Sequence, residues 1–341
     1  MKKVIILFFM ITLILSAKDY TKNPDTVAFI NKLVKKYNYK RADLNKLFSN
    51  VKVQKSALRA FIPRKKQKRR KDTRTEAQKA KARELYRKYG SWERYSRHIF
   101  HPSRVKKGVA FVKKYQETFN KVEKKYGVPK EYIAAIIGVE SNYGKNVGKY
   151  PVFDTLTTLA FEKNRRNKFF KKELMSFMHL CKTQKINPEN VYGSYAGAIG
   201  LGQFMPSNYE AYGVDFNGDG RVTLQRKQDA IASVANYFKK NGWRSGEPVA
   251  TRVSYEGKRF RRYKTGYKKR YARKYLKGIV PKSRWDYNGK VRLIKLEKKK
   301  YDELWYGAKN FFVITRYNHS AYYAMVVHQL AEKIKEGLHE N

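Results

Sequence analysis

Cysteine is almost absent from this chain. Cys181 is the only one in 341 residues, so no intramolecular disulfide can form and a disulfide-stapled fold is excluded. It follows the apolar helical run Leu174, Phe177, Met178, where a buried structural thiol is expected. No cysteine lies near the end of the N-terminal apolar segment, which rules out a lipid anchor attached by the usual lipoprotein route. Acidic residues are scarce as well, 28 against 77 Lys and Arg, giving a formal net charge of +49. The N-terminal run Val4 to Leu15, apolar apart from Thr12, is too short for a firm membrane span. No fixed-period repeat is present.

What is there begins with an export signature. Lys2 and Lys3 precede the apolar run, and Ser16 and Ala17 supply small residues for cleavage, so 1–17 is read as a signal peptide and the periplasm as the destination. An uncleaved N-terminus would instead hold the protein at the membrane. The basic field draws polyanions. For an exported protein the targets are peptidoglycan carboxylates or an anionic membrane surface, and nucleic acid is not expected. Aromatic residues reach 15%, 27 of them Tyr, which suits a groove that stacks flat ligands.

Helical spacing of Phe29, Ile30, Leu33, Val34 and Tyr37 predicts two short amphipathic helices over 25–47. The run 64–74, RKKQKRRKDTR, reads as a solvated linker, with a polyanion-binding segment as the alternative. Residues 76–125 are helical with interruptions near Gly90 and at His101-Pro102, and Pro129 opens a buried helix that ends at Glu140. Further helices are predicted at 153–163, 167–184, 206–212, 228–240 and 318–336. Alternation of Val249, Thr251, Val253 and Tyr255 amid Arg, Lys and Tyr predicts a small, basic, partly β insertion over 247–292.

Two segments carry chemistry. In Gly138-Val139-Glu140-Ser141-Asn142-Tyr143-Gly144 a carboxyl group sits at the end of a mostly apolar helix, where desolvation raises its pKa toward that of a proton donor near neutrality. A solvent-facing helix-end Glu is the bland alternative. In Ser194-Tyr195-Ala196-Gly197-Ala198-Ile199-Gly200-Leu201-Gly202-Gln203-Phe204-Met205-Pro206 the small residues let backbone pass close to a ligand or a helix. Gln203 can donate to and accept from an amide. Taken alone, this run also suits a tightly packed turn.

Together the two segments resemble the membrane-bound lytic murein transglycosylase B family of lysozyme-like lytic transglycosylases. The resemblance rests on GVESNYG, on GSYAGAIGLGQFMPSNY (193–209), VDFNGDG (214–220), DAIASVANYFKKNGW (229–243) and TRYNHSAYYAM (315–325), in matching order across roughly 27–336. It implies a mainly α fold: a lysozyme-like helical core with a helical N-terminal region and the small basic, partly β insertion. It further implies non-hydrolytic cleavage of the β-1,4 bond between N-acetylmuramic acid and N-acetylglucosamine, leaving a 1,6-anhydro sugar. Glu140 would protonate the leaving oxygen and then deprotonate the C6 hydroxyl, in place of the carboxylate pair of ordinary glycosidases. The resemblance places Ser194, Gln203 and Met205 along the cleft, Tyr95, Tyr237, Tyr317 and Tyr323 against sugars, and Arg165 and Arg166 toward stem-peptide or lactyl carboxylates.

Asp215, Asn217, Asp219, Gly220 and the Arg221 carbonyl follow the opening of an EF-hand loop, yet position 12 is Arg226 rather than Glu. Asp229, three residues on, matches the extended loop of the family, so a structural Ca2+ is expected and no organic cofactor. The expected organisation is signal peptide 1–17, N-terminal helical region 18–110, catalytic core 111–246 with the loop 215–229, insertion 247–292 and a helical C-terminal part 293–341, acting as a monomer. Two readings compete. A hydrolytic muramidase would need a second carboxylate, with Asp154 and Glu162 the nearest downstream; a non-catalytic wall-binding protein would need only the basic surface.

Overall fold

A computed structural model describes residues 17–63 and 74–340. The predicted signal peptide, Ala17 excepted, and the basic run 64–74, Arg74 excepted, lie outside the described residues.

In chain order the helices are α1 (Pro24–Tyr37), α2 (Arg41–Ser49), α3 (Lys55–Phe61), α4 (Glu76–Lys88), α5 (Ser91–Ser96), α6 (Pro102–Lys114) and α7 (Gln116–Tyr126). They continue with α8 (Lys130–Ser141), α9 (Val152–Phe161), α10 (Asn167–Thr183), α11 (Pro206–Tyr212), α12 (Lys227–Lys240), α13 (Lys309–Tyr317) and α14 (Ala321–His339). The strands are β1 (Ala17–Lys18), β2 (Val51–Lys52), β3 (Tyr150–Pro151), β4 (Tyr192–Gly193), β5 (Ala250–Tyr255), β6 (Ile279–Pro281), β7 (Arg292–Glu297) and β8 (Asp302–Gly307).

The described chain forms two compact units, 17–63 with 149–197, and 74–148 with 198–340. Residues 149–197 thus group with the N-terminal helices, although the sequence places them inside a continuous 111–246 core. The first unit is built on aromatic edges: Phe48 meets Phe153 at 5.0 Å and Phe61 meets Phe170 at 4.8 Å, both edge-on. Such pairs add about 0.5–1.5 kcal/mol beyond the area they bury. Cys181 is buried, as expected, and burial pushes its thiol up to about 12.

The second unit is organised around α8, which packs against α6, α7, α12 and α14. Its segment Tyr132–Gly138 is buried throughout, as a helix that is apolar on every side must be. Truncating Ile136, which is fully buried, to Ala would cost about 2–5 kcal/mol.

The second unit also holds an antiparallel sheet in the order β6-β5-β8-β7. It has its own core of Val253, Phe260, Leu276, Ile279, Val291, Leu293, Leu304 and Tyr306. The partly β insertion is therefore present but extends to Gly307, so 292–307 is largely strand where a helical C-terminal part was expected. The predicted helix 318–336 is preceded by α13 and begins three residues later, because Ser320 caps α14 by accepting from Tyr323 N. The sheet is fastened to α5: Ser91 Oγ donates to Glu297 Oε2 at 2.8 Å and Lys299 N to Glu93 Oε2 at 2.9 Å. A Cβ on Gly90 would meet the Glu297 carbonyl oxygen at 2.3 Å, so the contact needs glycine.

Candidate active site

Glu140 is the penultimate residue of α8. Beyond it the chain turns through three successive left-handed residues, Asn142 (φ 51°), Tyr143 (φ 60°) and Gly144 (φ 90°). Ser141 stabilises that exit by donating to the Ile137 carbonyl at 3.1 Å and accepting from Gly144 N at 3.0 Å. The Tyr143 ring folds back over α8, where a Cβ on Gly138 would lie 2.6 Å from its phenol. The GVESNYG pattern is thus a helix-reversal device that fixes the last turn of α8 and the carboxyl on it.

The Glu140 carboxyl is half-buried and accepts from the Tyr323 hydroxyl at 2.6 Å. Burial pushes its pKa up to about 7, against the Tyr323 hydrogen bond, which favours the charged form. Neither a second carboxylate nor a cation contributes to that shift. Near neutrality the group is divided between acid and base, the condition for serving as both.

The tyrosines form a connected wall. Tyr323 stacks with Tyr317 at 6.5 Å and 11°, and Tyr317 meets Tyr237 edge-on at 4.8 Å. Tyr317 donates to the Gly202 carbonyl at 2.6 Å and Tyr237 to the Arg316 carbonyl at 2.7 Å. Tyr237 is buried at 6% exposure with its hydroxyl committed to the main chain, whereas Tyr95, on α5, is 40% exposed beside Trp92 and Tyr322. Glu140 acts electrostatically on Tyr95, Tyr317 and Tyr323, and burial together with that charge raises all three phenols.

Gln203 reaches its position through a left-handed backbone (φ 50°) and spends both amide N–H groups on the carbonyls of Val147 and Gly200, each at 3.0 Å. What it offers a ligand is its carbonyl oxygen. Half-buried Met205 directly precedes α11. Arg165, Arg166 and Ser194 belong to the other unit; both arginines are exposed, and Ser194 Oγ accepts from Ala196 N at 3.3 Å. Asp154 and Glu162 are in that unit too, and Glu162 is taken by Lys18 and Tyr20, each at 2.6 Å.

The match of the chain to the transglycosylase SLT domain family covers residues 21–332. The chain belongs to that family. Over 318 residues this transglycosylase is 36% identical to membrane-bound lytic murein transglycosylase B of Escherichia coli, covering 93% of this chain and 84% of the relative. Its fold is that of the E. coli lytic transglycosylase SLT35, solved with bulgecin A and with calcium, at a TM-score of 0.83 and 35% identity, over 94% of this chain and 96% of that one. SltB1 of Pseudomonas aeruginosa gives a TM-score of 0.81 at 36% identity, over 94% and 100%. The mainly helical, lysozyme-like fold with a small sheet insertion is the fold of this transglycosylase.

In the loop after α11, Asp215 accepts from Gly218 N and Gly220 N, each at 2.8 Å. Fully buried Asp229 accepts from Phe216 N at 2.9 Å and Thr223 N at 2.7 Å, and Asp219 accepts from Arg221 N at 3.0 Å. Asn217 donates to Asp219, whose carboxylate also pairs with Arg226. Among the described residues no three carboxylate, His or Cys side chains gather tightly enough to hold a metal alone. A cation here would therefore also need Asn217 and main-chain oxygens. These are the hard oxygen donors that suit Ca2+. Arg226 is the misfit, a positive charge where an EF-hand carries its bidentate acid.

The sequence reading assigned no part to Ser141, Tyr143 or Ser320. Each lies inside a quoted motif, and the serine three residues before Tyr323 was the available signal for the α14 cap.

Proposed function

We propose that the protein is a peptidoglycan lytic transglycosylase whose single catalytic group is Glu140. The observation that carries this reading is the half-buried Glu140 carboxyl with its pKa pushed up to about 7 and one Tyr323 hydroxyl on it. As an acid, Glu140 protonates the oxygen between N-acetylmuramic acid and N-acetylglucosamine, and the C1–O bond breaks. As a base, it then removes the proton of the muramic C6 hydroxyl while that oxygen bonds C1, closing the 1,6-anhydro ring. The proton is returned and no water is consumed.

Within the same reading Gln203 presents its carbonyl to an N-acetyl N–H, and Tyr95 and Tyr317 face sugar. Tyr237, buried and bonded to main chain, holds Tyr317. Met205, in the same unit as Glu140, adds an apolar contact to the sugar. Asp215, Asn217, Asp219, the Arg221 carbonyl and Asp229 would hold a Ca2+ whose contribution is to neutralise the loop's carboxylates and clamp it. The basic surface keeps the enzyme on the wall of the periplasm, and among the described residues no helix is long and apolar enough to cross a membrane.

The test is mass spectrometry of the soluble products from purified sacculi. Anhydromuramic ends are expected. Reducing ends, heavier by one water, would make the protein a hydrolase, and no products from folded protein would leave a wall-binding role.

A further inference from the structure

A concavity of about 330 Å³ opens where α6 begins. Its lining includes Arg97, His98, His101, Arg104, Lys107 and Asn142, and no carboxylate. With 77 basic residues against 28 acidic ones, unpaired cations are common on this chain. These differ in converging on one hollow and in where that hollow lies. Asn142 is two residues beyond Glu140, and Arg104 Nη1 donates to the Gly138 carbonyl at 3.4 Å, so the hollow abuts the end of the catalytic helix.

The donors are arranged rather than merely exposed. The Arg97 guanidinium lies over the Tyr89 ring at 5.1 Å. His101 Nδ1 accepts from Ser103 N at 3.3 Å as the cap of α6 and lies 2.8 Å from Ser103 Oγ. Among the described residues none of Arg97, Arg104 and Lys107 has a carboxylate partner. Three cations sharing a hollow repel one another until an anion joins them. A guanidinium presents a flat fork that matches a carboxylate.

We propose that this hollow binds a carboxylate of the stem peptide carried by the glycan strand, and so positions peptide-bearing substrate on Glu140. The assignment rests on the transglycosylase reading, because the strand that Glu140 would cut carries peptide carboxylates. It adds a contact to the peptide, separate from those made to the sugars.

The experiment compares two substrates, glycan strands with their stem peptides and the same strands stripped by an amidase. The variant is the double substitution Arg97→Gln and Lys107→Gln. For peptide-bearing strands KM should rise about tenfold with kcat held, since two solvent-screened charge-assisted contacts to the peptide are lost. Stripped strands should be cut as by the parent enzyme. Equal changes on both substrates, or none on either, would overturn the assignment. Calorimetry of the parent protein with free stem tetrapeptide reads the hollow without catalysis. Saturable heat that the double variant loses supports the site even if neither strand is cut, an outcome that would instead sink the transglycosylase reading. Inorganic phosphate binding as well as the tetrapeptide would reduce the hollow to a general anion site and overturn its assignment to the peptide.

Discussion

The hydroxyl of Tyr323 donates to Glu140 Oε1 at 2.6 Å across 183 positions of sequence. It is the one hydrogen bond acting against the burial that keeps this carboxyl protonated. Because the donor stabilises the charged form, removing it raises the pKa further. Tyr323→Phe should therefore move the alkaline limb of the pH–rate profile upward from about 7, by roughly one unit for a contact worth about 1.5 kcal/mol. The rate below the limb should fall as well. A limb that stays put or moves down would show that the hydroxyl does not set this proton's affinity.

Glu140→Gln should lower turnover on sacculi by at least about 10²–10⁴-fold and spare binding to them. Its stability has a definite sign. The folded pKa lies above the ordinary 4.5, so the parent's contribution is fully present below pH 4.5 and is lost as pH rises through about 7. The neutral amide loses nothing over that window. Melting temperatures across pH 4 to 8 should accordingly drift downward for the parent relative to the variant, and parallel curves would contradict the assignment.

Gly202 tests the tyrosine wall. A Cβ there would lie 2.8 Å from the Tyr317 hydroxyl and 3.2 Å from Val234 Cγ2. Gly202→Ala should push Tyr317 off its carbonyl bond and cost about 1–3 kcal/mol, read as a lower denaturation midpoint, with a loss of kcat. An unchanged midpoint would mean the wall gives way freely.

The loop around Asp215 carries a prediction for the metal. Arg226 pairs with Asp219 and competes with any cation for that carboxylate. Arg226→Gln should tighten Ca2+ binding measured by calorimetry, and Asp229→Asn should abolish it while lowering stability, because Asp229 is fully buried under two N–H donors. If chelation and Ca2+ addition leave the melting temperature of the parent and of Arg226→Gln equally unmoved, the loop holds no metal.

How much of this was legible beforehand depends on how local each signal is. Helix α11 was placed to the residue because Pro206 can start a helix, and α10 to within one residue, because its apolar face repeats at helical spacing. Strand β7 has no sequence signal and falls in what reads as the helical C-terminal part: Arg292–Leu296 is buried on nearly every residue, so the two-residue alternation that betrays a strand is missing. The break between α6 and α7 at Tyr115 carries neither Gly nor Pro and went unseen. At the site, apolar residues before Glu140 announced its raised pKa. No rule of spacing could have announced that Tyr323 would supply its hydrogen bond, or that both amide hydrogens of Gln203 would be spent on main chain. Those are products of packing between distant segments.

The distance between Glu140 and Tyr323 along the chain also means that the site is made by tertiary packing. Glu140 lies in the last turn of α8 and Tyr323 in the first turn of α14, so the bond between them exists only once these two helices pack. Without α14, Glu140 has neither the Tyr323 hydroxyl nor the burial that this helix supplies. The proton affinity of Glu140 is thus a property of the packed pair of helices and not of the α8 segment that carries it.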